Sequence, residues 1–273
     1  MDDFASFARL LGALRPWLRD LVVIGGWAHR LHRFHPLAHP PAYLPLRTRD
    51  ADLAFAPGAR LAGNIGAALE EAGFQAELLG DHAPAVTHYH LGEADAGFYV
   101  EFLTPLHGGE RKRGGRPDAT LSKAGITAQK LRHLELLLIS PWIVSVGPQA
   151  GFPLAGDVDV LVPNPASFIV QKLLIHGSRR PDEKAQDVLY VHDTLELFGA
   201  SLDSLRALWE KEIHPAMAPR AARRAIRIAR DLFHEVTDTT REAARIPRDR
   251  RPAPEHIRAA CRYGLEQVLG SLN

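Results

Sequence analysis

The residues able to do chemistry gather in three short stretches. Asp50-Ala51-Asp52 sets two carboxylates two residues apart, so on a β-strand both project from one face. Like charges held side by side are unfavourable unless a cation lies between them, and an all-oxygen donor set suits Mg2+ or Mn2+. Glu101 stands inside Phe98-Tyr99-Val100-Glu101-Phe102-Leu103, where a carboxylate is costly without a partner or a metal. If its strand lies beside the Asp50 strand, the three carboxylates form one cluster. Such a cluster can hold two divalent ions about 3.5–4 Å apart, one activating an attacking oxygen and the other steadying a leaving pyrophosphate. Gly25-Gly26 follows the apolar run Leu21-Val22-Val23-Ile24. Bare of side chains, a glycine pair between strand and helix lets phosphate oxygens approach backbone N–H groups at the helix's positive end. The same pair also serves as a plain tight turn.

The elements that must position these groups are legible in periodicity. Apolar residues at Phe4, Phe7, Leu10, Leu11, Leu14 and Leu18 predict an amphipathic helix over 4–20. Strands are predicted at 21–24 and 50–55, helices at 27–34 and 61–72, and a Pro/His-rich loop at 35–45. Two further strands, 86–91 and 97–103, read as a hairpin. Residues 107–122, with four glycines and several arginines and no periodicity, read as a mobile basic loop. Strands at 137–146 and 157–162 precede Pro163. Beyond it helices are predicted at 166–176, 183–197, 202–212, 219–233 and 254–269. This is an α/β (α+β) chain: a mixed sheet with flanking helices over 1–163, then an α-helical domain over 164–273.

Length and composition set the outer limits. The chain has 273 residues, 46% hydrophobic and 24% charged, as expected of a compact globular protein of one large domain or two modest ones. A net charge of +1 gives no global field toward nucleic acid or membrane, so any such binding is local. One cysteine, Cys261, excludes an internal disulfide and a thiolate metal cluster. No secretory signal or membrane-spanning run is evident, which points to the cytoplasm. Only six of the 33 basic residues are lysines, so each lysine is more informative than each arginine. Lys172 is apt for an anion because an ammonium in the apolar helix Phe168-Ile169-Val170-Gln171-Lys172-Leu173-Leu174 needs a partner, unless it snorkels to solvent.

Other candidates are weaker. His29, His32, His35 and His39 invite a zinc reading, but Pro36, Pro40 and Pro41 break the helix and no Cys or acid is interleaved. His88 and His90 share a strand face, as ordinary strand histidines do. Ser167, Ser204 and Cys261 lack the surroundings of a nucleophile. Arg220, Arg223, Arg224, Arg227 and Arg230 form a helical stripe that would suit RNA phosphates or merely solvent.

The order strand, Gly25-Gly26, helix, then Arg47-Thr48-Arg49-Asp50-Ala51-Asp52-Leu53, then Glu101 in a later apolar strand, resembles the nucleotidyltransferase superfamily related to DNA polymerase beta. Within it, the chain is most similar to the AbiEii-type abortive-infection nucleotidyltransferases. The segments around Lys172 and Lys184-Ala185-Gln186-Asp187 are similar to two helical motifs of that family. The resemblance implies Asp50, Asp52 and Glu101 as catalytic metal ligands for Mg2+ or Mn2+. Gly25, Gly26, Lys172 and Asp187 would lie on the nucleotide-phosphate side, with the helical domain closing over the nucleotide. It implies transfer of NMP from an NTP to a tRNA or protein hydroxyl, as a toxin paired with an antitoxin. Two departures stand out: Trp27 follows the glycine pair where many members carry Ser or Thr, and the third carboxylate is Glu where Asp is usual. A small-molecule nucleotidylating enzyme and a non-catalytic nucleotide-binding or interaction module remain open beside this reading.

Overall fold

The computed structural model describes residues 3–79, 85–92, 97–109 and 119–272. Its contacts divide the chain into two compact units, one of residues 1–35 with 47–163 and the other of 36–46 with 164–273. Among the described residues, no helix is long and apolar enough to cross a membrane.

The first unit is built on a mixed sheet. In chain order it runs α1 (Asp3–Ala13), β1 (Val22–Ile24), α2 (Gly25–Leu31), β2 (Asp50–Ala54), α3 (Ile65–Glu71) and β3 (Gln75–Leu79). There follow β4 (Val86–Leu91), β5 (Phe98–Pro105), β6 (Thr120–Lys123), β7 (Ile126–Leu131), β8 (Trp142–Val146) and β9 (Val158–Val162). The strands order as β3-β4-β5-β2-β1-β9-β8, with β7 on the far end of β5 and β6 paired to β7. β2 is antiparallel to β1 and parallel to β5. One face of these strands is apolar and closed: Ala51, Leu53, Tyr89 and Val100 are all buried. α1 and α2 meet through aromatics, Phe7 stacking on Trp27 at 3.9 Å, with Trp27 wholly buried. The residue after the glycine pair is therefore a core side chain and has no hydroxyl to offer a phosphate.

Local chemistry explains where the elements depart from the periodicity. The expected helix over 4–20 stops at Ala13, and a 3-10 turn at Arg15–Trp17 follows, because Pro16 has no N–H to continue it. α3 starts at Ile65 because the Asn64 side chain caps it, accepting from Ala67 N at 3.0 Å. The strand expected over 137–146 begins only at Trp142; Leu134–Leu138 is a 3-10 turn, and Ser140 takes a left-handed conformation before Pro141. β3 carries no strand signal of its own, because Gln75-Ala76-Glu77-Leu78-Leu79 has no β-branched residue, and it is held as an edge strand by β4. β6 occupies the end of what reads as a basic loop. The basic residues of that loop, at 111–116, lie outside the described residues.

The second unit is helical: α4 (Pro165–Ile175), α5 (Pro181–Leu197), α6 (Leu202–Leu208), α7 (His214–Ala216), α8 (Pro219–Phe233), α9 (Asp238–Ala243) and α10 (Pro254–Leu269). α6 passes through a π-helical turn at Trp209–Ile213 into α7. Asn164 caps α4, accepting from Ser167 N at 2.9 Å, and residues Pro165 to Leu174 are buried throughout. α8 buries Ala222, Ala225, Ala229 and Phe233 and exposes its five arginines. The Pro/His-rich segment belongs here: His39 N donates to Leu197 O at 2.8 Å, Ser201 Oγ to Leu37 O at 3.1 Å, and Leu44 N to Asp249 Oδ2 at 2.8 Å.

Candidate active site

Strand register assembles the polar face of the first unit. Asp52 pairs with Ile24 on β1 and with Glu101 on β5, and Asp50 pairs with Tyr99. On the other side of β5, Tyr99 pairs with His90 and Val100 with Tyr89, so His88 is the next position along from Glu101. β3 continues the rows, Glu77 opposite His88 and Gln75 opposite His90. Paired residues project to one side of a sheet. One row therefore reads Glu77, His88, Glu101, Asp52, and the next Gln75, His90, Tyr99, Asp50.

The contacts along the rows are specific. His88 Nε2 lies 3.2 Å from Glu101 Oε1, and His90 Nε2 lies 3.1 Å from Gln75 Oε1. Partial burial raises the Glu101 carboxyl above its usual value, and the Asp50 charge raises it further. Desolvation likewise raises Asp50, against the opposing pull of Arg49 and His88. Burial lowers His88, so the imidazole is neutral near pH 7 and does not cancel the acids. The face thus carries negative charge in excess of its protein cations, and every charged donor is oxygen. Such a set fits a hard divalent cation.

Gly25 has a role that its sequence position does not announce. Its φ is +63°, and a Cβ placed there would lie 2.1 Å from Asp52 Oδ2. The space above Gly25 is occupied by the Asp52 carboxylate, so the glycine is needed for the approach of a neighbouring strand's side chain. Gly26 is buried in α2. We expect Gly25→Ala to lose about 1–2 kcal/mol from the left-handed backbone alone, and more from the collision. A melting curve would fall by several degrees, and Asp52 would be driven off its position. An alanine variant with unchanged Tm would show that the carboxylate moves aside freely.

The carboxylates of Asp50, Asp52 and Glu101 share a face without closing to a common point. Among the described residues, the one group of three His, Cys, Asp or Glu ligand atoms all within 4.8 Å of one another is His192, Glu196 and His256, in the helical unit. The histidines at 29, 32, 35 and 39 form no such group. His32 is wholly buried, with Nε2 2.8 Å from Pro163 O, and burial lowers its pKa to about 3, making it a neutral core residue.

In the second unit, Lys172 and Asp187 are brought to each other. Lys172 Nζ donates to Asp187 Oδ1 at 2.6 Å, and Arg179 Nε donates to Asp187 Oδ2 at 3.3 Å. Lys172 is 6% exposed and Asp187 4%. The ammonium does not snorkel, and Asp187 pairs inside the unit instead of with Lys184 or Arg180 at its surface. Phe168 and Tyr190 present their rings to the same ammonium at 5.6 and 5.1 Å. The polar row beyond the three acids, His88 above all, was legible only as two histidines on alternate positions. Nothing in its spacing separates it from an ordinary strand face.

No curated protein and no solved structure matches the chain. Residues 2–214 match the family described as Nucleotidyltransferase. That span takes in the glycine turn, all three carboxylates and the Lys172–Asp187 pair. With most of its length covered, and a mixed sheet carrying an acidic row beside the glycine turn, the chain belongs to the nucleotidyltransferase family.

Proposed function

We propose that the protein transfers a nucleoside monophosphate from an NTP to an acceptor hydroxyl and releases pyrophosphate. The observation that carries this reading is the in-register row of Asp52 and Glu101, with Asp50 one row away and Gly25 beneath the Asp52 carboxylate. In the reaction the acceptor oxygen forms a bond to the α-phosphorus as the bond from that phosphorus to the β-phosphate oxygen breaks. The hydroxyl proton passes to a base, and the charge of the leaving pyrophosphate must be met.

Asp50, Asp52 and Glu101 are the residues that would hold Mg2+ or Mn2+, which supplies Lewis-acid activation of the nucleophile and charge stabilisation on the leaving oxygen. Glu101, which burial raises above its usual pKa, is the proton acceptor we assign, and His88 lies against its Oε1. Gly25 and Gly26 hold the turn on the phosphate side. Lys172, paired with Asp187 at 2.6 Å, is the cation we assign to the nucleotide in the helical unit. Contact with a phosphate would require it to share that carboxylate.

We further propose that the acceptor is tRNA or a protein hydroxyl, and that the chain acts in the cytoplasm as an AbiEii-like toxin restrained by an antitoxin. The exposed arginine face of α8 supports a polyanionic acceptor over a small molecule. The test is incubation with each α-labelled NTP, Mg2+ or Mn2+ and total tRNA, with Asp52→Asn alongside. Label on tRNA or on protein from the wild type alone is the expected result. Equal background from both, together with no metal-dependent NTP binding, would leave only an interaction module.

A further inference from the structure

The helical unit contains a cluster that nucleotidyl transfer does not use. His192 and Glu196 stand one turn apart on α5, and His256 faces them from the first turn of α10. His256 Nε2 lies 3.1 Å from Glu196 Oε1, and His192 Nε2 lies 3.7 Å from the same oxygen. Four-coordinate zinc, with bonds near 2.0–2.1 Å, holds its ligand atoms roughly 3.3 Å apart. Small side-chain shifts would bring these three atoms to that spacing.

The surroundings direct the right atoms inward. His192 is 1% exposed, and its Nδ1 is bonded to Asp193 Oδ1 at 2.9 Å. With the proton on Nδ1, Nε2 presents a lone pair, and that buried nitrogen has no hydrogen-bond partner. Asp193 is itself held by Arg250, whose charge is thereby committed. The other oxygen of Glu196, Oε2, accepts from the Tyr43 hydroxyl, leaving Oε1 toward the histidines. Burial and the neighbouring acids keep Tyr43 protonated and so a donor. A carboxylate behind a ligating histidine and a donor behind a ligating carboxylate are the supports that metal centres use.

We propose that His192 Nε2, Glu196 Oε1 and His256 Nε2 bind one borderline transition cation of the zinc class, pinning α10 to α5. Two imidazoles and one carboxylate favour zinc over magnesium. His256 is largely exposed, so water completes the coordination. Cys261, in the same helix as His256, is not among the converging ligand atoms.

The experiment uses the full chain stripped with chelator and titrated with Co2+ or Zn2+ in excess Mg2+, which occupies oxygen-only sites. One Co2+ per chain with visible ligand-field bands, displaced by Zn2+, and a Zn2+-dependent rise in Tm are expected. Because His192 is buried and its loss endangers the fold, His256→Ala carries the test. It should keep the metal-free Tm and bind Zn2+ at least about 100-fold more weakly, since even supporting residues are worth 10–100-fold. No bands and no Tm rise in the wild type, or Zn2+ affinity in His256→Ala within tenfold of wild type, would overturn the site. Neither outcome depends on nucleotidyl transfer being observed.

Discussion

Asp52→Asn and Glu101→Gln should each lower metal-dependent NMP transfer by at least about 10^3-fold, the equivalent of roughly 4 kcal/mol of transition-state stabilisation. Each keeps the shape of its side chain and removes one anionic oxygen donor from a row that strand pairing has fixed. Stability should move the other way for Glu101→Gln. A carboxyl whose folded pKa is raised destabilises the fold when ionised; that penalty is absent at low pH and sets in as pH rises through the raised value. Glu101→Gln should therefore melt at or above the wild type at neutral pH, with the gap closing as pH falls. The acid limb of activity should lie above the ordinary carboxylate range of about 4, because Asp50 and Glu101 are both raised. Transfer by Asp52→Asn within tenfold of wild type would remove the acidic row from the chemistry.

Asp187→Ala should be the most destabilising single change in the helical unit. It leaves the Lys172 ammonium, 6% exposed, without its 2.6 Å partner, and an uncompensated buried charge costs about 3–5 kcal/mol. The melting temperature should drop by roughly 10 °C. Arg179, which also holds Asp187, can turn to solvent and should not add to the loss. Replacing both partners, Lys172→Met with Asp187→Leu, should restore most of the stability, since two apolar groups need no compensation. If Asp187→Ala melts with the wild type, the pair is not a core ion pair and Lys172 has another anion. Measuring NTP affinity in the stable double variant then separates the structural role of Lys172 from any phosphate contact.

Some of this could be read directly from residue types. Asp50-Ala51-Asp52 announces both its strand and its chemistry, because period-two alternation puts the acids on one face and Ala51 and Leu53 on the other. The late helices were legible for the same reason, their apolar positions recurring at helical spacing. Boundaries were less so where a single side chain decided them, as Asn64 does for α3 and Pro16 for the end of α1. The edge strand β3 has no propensity of its own and exists because β4 offers it a ladder.

The sequence by itself determined the donor chemistry: three acids, a glycine turn and a lysine in an apolar helix. It determined the alternation of strands and helices that carries them, because side-chain period is a local property of the backbone. Tertiary structure alone decided which of these groups meet. Register across β2, β5 and β4 puts Asp52 beside Glu101 and Glu101 beside His88, and a one-residue slip would have turned each to the opposite face. Only the fold shows that Gly25 is bare to admit a carboxylate, that the lysine's anion is Asp187, and that residues 36–46 belong with the helices. His192, Glu196 and His256 converge for the same reason. Two of them share a helix face, but the third lies 60 positions later, and only packing brings it within reach.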